Sequence, residues 1–204
     1  MVETQFRILF VFLWILLLAA RLIPSKKAPT PKRTARERWR DLRQEGFLAA
    51  VSMIVATYGN LVVALLFLFK APWINWSYIH LPLGFRVGGI ILGVFSISYL
   101  YWVVRTLANF YSYTVEIQED HRLITTGPYS NVRHPMYAGI LLFLFSQVLV
   151  SDNWLFLAIL LSLIPFLHAR MEKEEGMLLE RFGEEYAAYM RRTGRIFPKI
   201  RRMK

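Results

Sequence analysis

Two short stretches of this sequence concentrate side chains that can do chemistry. The first, His121 to Gly139, reads HRLITTGPYSNVRHPMYAG. Gly127-Pro128 marks a turn, and Pro135 opens an apolar run at the helix position where proline's missing N–H costs nothing. Arg133 and His134 therefore stand at a helix amino terminus, where the dipole and unpaired N–H groups favour an anion. A carboxylate or phosphate suits that place, and so does a simple helix entry with Arg133 turned to lipid headgroups.

The second stretch, Glu172 to Tyr186, reads EKEEGMLLERFGEEY. At helical spacing Met171, Leu178 and Phe182 make an apolar stripe that continues to Tyr186 and Tyr189, and Glu175 falls on it. A carboxylate on a buried stripe needs a partner, because its charge is expensive to desolvate. An ion pair with a nearby arginine satisfies that need, and so does a cationic ligand. Glu174 flanks the stripe, whereas Glu172 and Glu180 point to water. Tyr129 and Tyr137 add aromatic faces able to attract a cation.

The elements that carry these stretches follow from hydropathy. The chain has 204 residues, 55% of them hydrophobic and 15% aromatic, yet its formal net charge is +11. Both hold only if apolar and basic segments alternate, and they do. Phe6–Ile23, Phe47–Phe69 and Leu83–Val104 are each long enough to span a hydrocarbon core about 30 Å thick. Phe6–Ile23 reads as a span, since its flank lacks the positive charge and small-x-small site of a cleaved signal. Arg7 and Arg21 lie near its ends and can reach the interface. Met136–Val150 and Trp154–His168, joined by Ser151-Asp152-Asn153, form an antiparallel hairpin. Its first arm is short, and Pro165 predicts a kink in the second.

The Lys26–Arg43 stretch, helical over residues 34–44 along the membrane surface, carries a loop's worth of Lys and Arg. The third loop and the tail from Arg170 to Lys204 carry nearly all the rest. The loop with Pro72, Trp73, Trp76 and Tyr78 holds interfacial aromatics and little charge. This asymmetry predicts an amino terminus outside and a carboxyl terminus inside the cytoplasm. It also explains the net +11 without nucleic acid. With no cysteine, disulfides, zinc–thiolate centres and a cysteine nucleophile are excluded, and no metal site is expected. The spans are almost free of charge and show no paired halves, so a site at the membrane surface is favoured over a transport path.

The pattern HxLIxxGPYxxVRHPxYxG, an apolar hairpin, EExxLxxxFGxxYxxY from Glu174, and Arg195-x-x-Pro198 resembles the isoprenylcysteine carboxyl methyltransferase family. Phospholipid methyltransferases share its carboxyl-terminal part. The resemblance covers residues 105 to 200, with a departure at Leu107-Ala108-Asn109, where members often have Leu-Gly. It implies an all-α polytopic membrane protein of about five transmembrane segments with a cytoplasmic, cofactor-binding carboxyl-terminal segment. Residues 1–104 would form the amino-terminal helices and residues 105–204 the catalytic region. The implied cofactor is S-adenosylmethionine, leaving as S-adenosylhomocysteine. Its site would comprise His121, Leu123, Gly127, Tyr129, Arg133, His134, Pro135, Tyr137, Glu174 and Glu175, with Arg195 or Arg133 holding the acceptor. The implied acceptor is the carboxylate of an isoprenylcysteine-like lipid entering from the bilayer. Such a carboxylate needs no general base. An amine, as on phosphatidylethanolamine, would need His121 or Glu175 to take a proton. A thiol acceptor and a non-catalytic membrane scaffold are the alternatives.

Overall fold

The computed structural model describes residues 2–22, 46–107 and 123–199. The basic stretch Lys26–Arg43, the surface helix expected over residues 34–44, the Ala108-Asn109 departure and His121 lie outside the described residues, as does the side chain of Arg21. Among the described residues the regular structure is helical: α1 (Val2–Leu22), α2 (Phe47–Leu68), α3 (Leu83–Thr106), α4 (Pro135–Ser151), α5 (Trp154–Ser162) and α6 (Ile164–Arg192). Short 3-10 turns cover Pro72–Ser77 and Gly127–Ser130.

Helices α1, α2 and α3 have 21, 22 and 24 residues, enough to cross a bilayer at 1.5 Å per residue. Helix α4 has only 17, so the short first arm of the hairpin is present. Its turn is built by local chemistry. Asp152 takes the left-handed conformation at φ 57° and its carboxylate accepts from the Leu81 N–H at 2.8 Å. Asn153 caps α5 by accepting from Leu155 N–H at 2.9 Å, and donates to Ser77 Oγ at 2.7 Å. The polar turn is thereby tied to the aromatic loop, where Trp73 and Trp76 remain exposed.

The second arm breaks at Leu163, two residues before Pro165. Proline removes a donor and crowds the preceding turn, and a hydroxyl from another helix occupies the gap. Ser52 of α2 donates to Ser162 O and accepts from Phe166 N–H. That hydroxyl sits inside the one ladder step that should join residues 162 and 166, an insertion that produces a sharp kink. Beyond the kink, α6 leaves its apolar part and carries the acidic stretch.

One charged residue inside a span escapes the hydropathy reading. Arg86, in the first turn of α3, is 5% exposed. Its guanidinium pairs with Glu3, donates to Val150 O at 3.1 Å and lies 3.9 Å over the Phe6 ring. Arg7 is likewise held by the protein, donating to Phe67 O at 2.6 Å and to Tyr78 Oη. Both charges belong to the hairpin-turn end of the bundle, where they fasten α1 to α2, α3 and α4.

Helices α3 and α4 pack through small residues, since apolar association within lipid rests on close van der Waals fit. Gly89 lies where a Cβ would come within 2.6 Å of Leu149 Cβ and 3.0 Å of Val150 N. Gly139 faces Leu100 in the same way, and Gly93 faces Leu13 and Ser146. Leu149 Cβ and a backbone nitrogen cannot rotate aside. Gly89→Ala is therefore expected to cost about 1–3 kcal/mol, read as a lower thermal unfolding midpoint in detergent. An unchanged midpoint would contradict this contact.

Candidate active site

Helix α6 buries most of the stripe expected of it, with Leu178 and Phe182 only half-buried. Met171, Glu175, Tyr186 and Tyr189 are buried, whereas Glu172 and Glu180 are exposed. The helix is broken at Gly183, where φ is 50° and ψ −125°, a left-handed conformation that glycine adopts without a Cβ penalty. After α6 the chain turns back along the loop before α4. Gly194 N–H donates to Asn131 O at 3.0 Å, Arg133 N–H to Gly194 O at 2.8 Å, and His134 N–H to Arg195 O at 2.9 Å. This two-residue parallel pairing between Val132 and Gly194 forms a strap that delivers Arg195 to the start of α4.

Around Glu175 three basic side chains converge. Arg133 Nε donates to Glu175 Oε1 at 2.9 Å, His134 Nε2 lies 3.1 Å from the same oxygen, and Arg195 donates to Oε2 at 2.9 Å. Glu174 lies on the other side of the imidazole, 3.5 Å from His134 Nδ1. It also accepts from Tyr137 Oη at 2.6 Å and Arg170 Nε at 3.2 Å, and Arg170 donates to Tyr137 Oη at 3.0 Å. The result is one continuous polar chain, Arg170–Tyr137–Glu174–His134–Glu175–Arg195.

Six residues singled out in the sequence thus meet: Arg133, His134, Tyr137, Glu174, Glu175 and Arg195. Pro135 is the buried first residue of α4. Leu123, Gly127 and Tyr129 lie on the loop leading into it, Gly127 at φ 59°. The arginine partner expected for Glu175 is present twice over. Arg133 is also committed elsewhere, donating to Thr193 O at 2.6 Å and Met190 O at 3.2 Å, and its own N–H and that of His134 are taken by the strap. The anion site expected at this helix start is therefore closed at those two amides. Sequence reading did not single out Arg170, whose position four residues before Glu174 was the available signal. It also passed over the Tyr189 hydroxyl, which donates to Tyr129 O at 2.6 Å and holds the Gly127–Ser130 turn to α6.

Burial, with His134 6% exposed, disfavours its charged form. The hydrogen bonds and charges of Glu174 and Glu175 outweigh that burial and raise its pKa above the ordinary 6.5. A raised folded pKa adds stability that is fully present below the unfolded value and is lost as pH rises through the folded one. The unfolding midpoint is expected to decline as pH climbs above about 6.5, and His134→Gln should flatten that decline. Equal slopes in both proteins would remove His134 as its cause.

Beside this polar chain lies an apolar cavity of about 770 Å³ among α1, α2, α3 and α4, lined by residues that include Phe10, Trp14, Leu65, Tyr101, Met136 and Ile140. Met136 and Ile140 belong to the first turns of α4, just after His134 and Pro135, so one wall of the cavity is the helix start that also carries the polar cluster.

Comparison with known proteins points to the family that the motifs resemble. A model of the isoprenylcysteine carboxyl methyltransferase (ICMT) family matches residues 89–180, which include the hairpin, the Arg133-His134-Pro135 motif and the Glu174-Glu175 pair. The match covers a little under half of the chain, and over that part the chain is similar to this family. Protein-S-isoprenylcysteine O-methyltransferases similar to it come from Homo sapiens, 28% identical over 64% of this chain and 47% of that protein. The Schizosaccharomyces pombe enzyme is 35% identical over 40% of this chain and 35% of its own length, and the Dictyostelium discoideum enzyme 26% identical over 79% and 70%. The chain spans about half or less of the first two relatives' lengths. A solved eukaryotic intramembrane Ras methyltransferase ICMT shares the fold at a TM-score of 0.56 and 21% identity, covering 93% of this chain and 63% of that one. Four helices among the described residues are long and apolar enough to cross a membrane, and the chain is a multi-pass integral membrane protein.

Proposed function

We propose that this protein is an S-adenosylmethionine-dependent methyltransferase that methylates the carboxylate of an isoprenylcysteine-like lipid at the cytoplasmic membrane surface. The observation that carries the reading is the juxtaposition of an ordered polar cluster with an apolar, bilayer-side cavity at the start of α4. It separates a place for a charged, water-soluble donor from a place for a greasy acceptor.

The residues suit the cofactor. Glu174 and Glu175 would face its ammonium and ribose hydroxyls, and the basic groups of His134 and the strap its carboxylate, with Leu123, Gly127, Tyr129, Pro135 and Tyr137 completing the walls. His121 completes the set by motif position. An orphaned donor supports this fit: Arg195 Nε is buried without a partner, a state that costs free energy unless a ligand or water satisfies it. Bound S-adenosylmethionine supplies a methyl group activated by its sulfonium charge.

The chain's own contribution is alignment and exclusion of water. Arg195, with 32% of its side chain exposed against 11% for Arg133, is the arginine with room to receive the acceptor carboxylate. Arg133 instead braces Glu175 against the end of α6. His134 and Glu175 stabilise each other in their charged states, so neither serves as a free base. That favours an acceptor already ionised at neutral pH, and positioning can then supply on the order of 7–11 kcal/mol of the barrier reduction. The test is calorimetry of the detergent-purified protein with S-adenosylhomocysteine. Saturable binding by wild type that is lost in His134→Ala is expected, and a folded wild type that does not bind would sink the reading.

A further inference from the structure

The apolar cavity has a definite end. On α1 its wall runs from Ala20 to Phe10, about 15 Å of helix, and on α4 from Met136 to Leu144, about 12 Å. These helices are antiparallel, since Arg86 joins Glu3 to Val150 O, so both walls stop short of the hairpin-turn end. The space beyond is filled by Phe6, Phe67, Val148 and Phe156, which are buried in the core and do not line the cavity.

Phe10 stands at this boundary. It is 1% exposed and belongs to the core, yet it lines the cavity. Phe143, the other core residue on the lining, packs edge-on against the lining ring of Trp14 at 5.0 Å. Phe10 packs onward instead, 5.2 Å from Phe67 and 5.4 Å from Phe156, with the rings tilted as aromatic pairs favour. Phe67 is itself fixed, because Arg7 donates to its carbonyl at 2.6 Å and lies 4.9 Å over its ring. Rings packed in this way do not yield to a flexible chain without strain. The sides of the cavity differ. Ile15 and Leu18 of α1 and Leu61 and Leu65 of α2 line it and remain exposed, so it opens laterally to the bilayer. A tail too long for the cavity can turn out there at little cost, lipid being as apolar as the lining.

We infer that Phe10 is the floor of the tail site and sets how many carbons of the acceptor's hydrocarbon tail the protein holds. This rests on the methyltransferase reading for the direction of the lipid, head at His134 and tail toward Phe10. An extended chain advances about 1.3 Å per carbon, so a depth of about 12–15 Å takes on the order of ten carbons. The floor limits how much of the tail is gripped, not which tails are admitted.

The test uses the full chain in detergent and N-acetyl-S-alkylcysteines whose tails lengthen carbon by carbon, measured by displacement of a fluorescently labelled member of the series. Detergent already shields each tail, so the gain per carbon comes from close contact, and the position of the break in the series is the readout. Wild-type affinity is expected to rise up to about ten carbons and then level off. Phe10→Ala opens the ring's place as far as Phe67, 5.2 Å on, and should move the break about four carbons longer. Phe10→Leu, the milder change in the core, should move it the same way by less, and decides the matter if Phe10→Ala does not fold. No binding of any tail, a series without a break, or a break that stays in place in a folded Phe10 variant overturns the inference. S-adenosylhomocysteine binding is measured on the same samples. Its absence strikes the methyltransferase reading alone, whereas its presence with an unmoved break strikes this inference alone.

Discussion

Replacing Glu175 with alanine is expected to lower the unfolding midpoint sharply and to remove S-adenosylhomocysteine binding. Glu175 is 6% exposed and receives Arg133, His134 and Arg195 within 3.1 Å. Its removal leaves two guanidinium groups and the imidazole facing one another with their common anion gone. Breaking a buried ion pair by deleting one partner costs about 3–5 kcal/mol, because the remaining charge stays desolvated. Here the released charges also repel, and the strap loses the contact that holds Arg195. Glu175→Gln separates the two causes: it keeps the shape and some hydrogen bonds but removes the charge. If Glu175→Gln unfolds near the wild-type midpoint, the ion-pair account of this cluster fails. If it folds but does not bind, the carboxylate acts on the ligand as well.

Gly194→Ala should produce a comparable loss of ligand binding from a residue with no functional group. A Cβ built on Gly194 would lie 1.7 Å from Phe197 O and 2.9 Å from Phe197 C. Both are backbone atoms, so no rotamer change relieves the clash and the strap itself must move. The strap supplies acceptors for the Arg133 and His134 amides and delivers Arg195 to Glu175. Its displacement is expected to weaken S-adenosylhomocysteine binding at least about tenfold, equivalent to about 1.4 kcal/mol. The unfolding midpoint should fall less than in Glu175→Ala, because the apolar helices do not depend on the strap. Wild-type affinity in Gly194→Ala would show that the strap's path does not matter to the site. Arg195→Ala, measured beside it, reports how much of the loss belongs to the guanidinium alone.

The apolar segments were legible because membrane spans are written in hydropathy and length. Phe47–Phe69 became α2 ending at Leu68, Leu83–Val104 became α3 ending at Thr106, and the 15-residue arm became the 17-residue α4, with Pro135 as its first residue. The hairpin turn was legible from three polar residues between two apolar runs. The buried position of Glu175 was legible from its spacing against Met171 and Leu178. The second arm was read as one kinked helix over Trp154–His168; the chain instead has α5 and a long α6 that runs on to Arg192. Pro165 signalled a disturbance, but its position at Leu163 depends on the Ser52 hydroxyl, which lies 110 residues away in sequence from the carbonyl it binds.

What the sequence by itself determined is therefore the membrane class and the number and order of apolar segments, since these depend on local composition and helical period; the motif resemblance named the cluster's other residues but not Arg170. Only the tertiary structure decided which arginine does what. Arg133 and Arg195 look alike as sequence, yet one is spent on carbonyls at the end of α6 and the other is carried on a strap with part of its surface open. It also decided that Arg86 is tolerable within a span, because Glu3 on α1 neutralises it. Pairings of this kind join residues tens of positions apart, and a one-dimensional pattern holds no record of which helix faces they bring together.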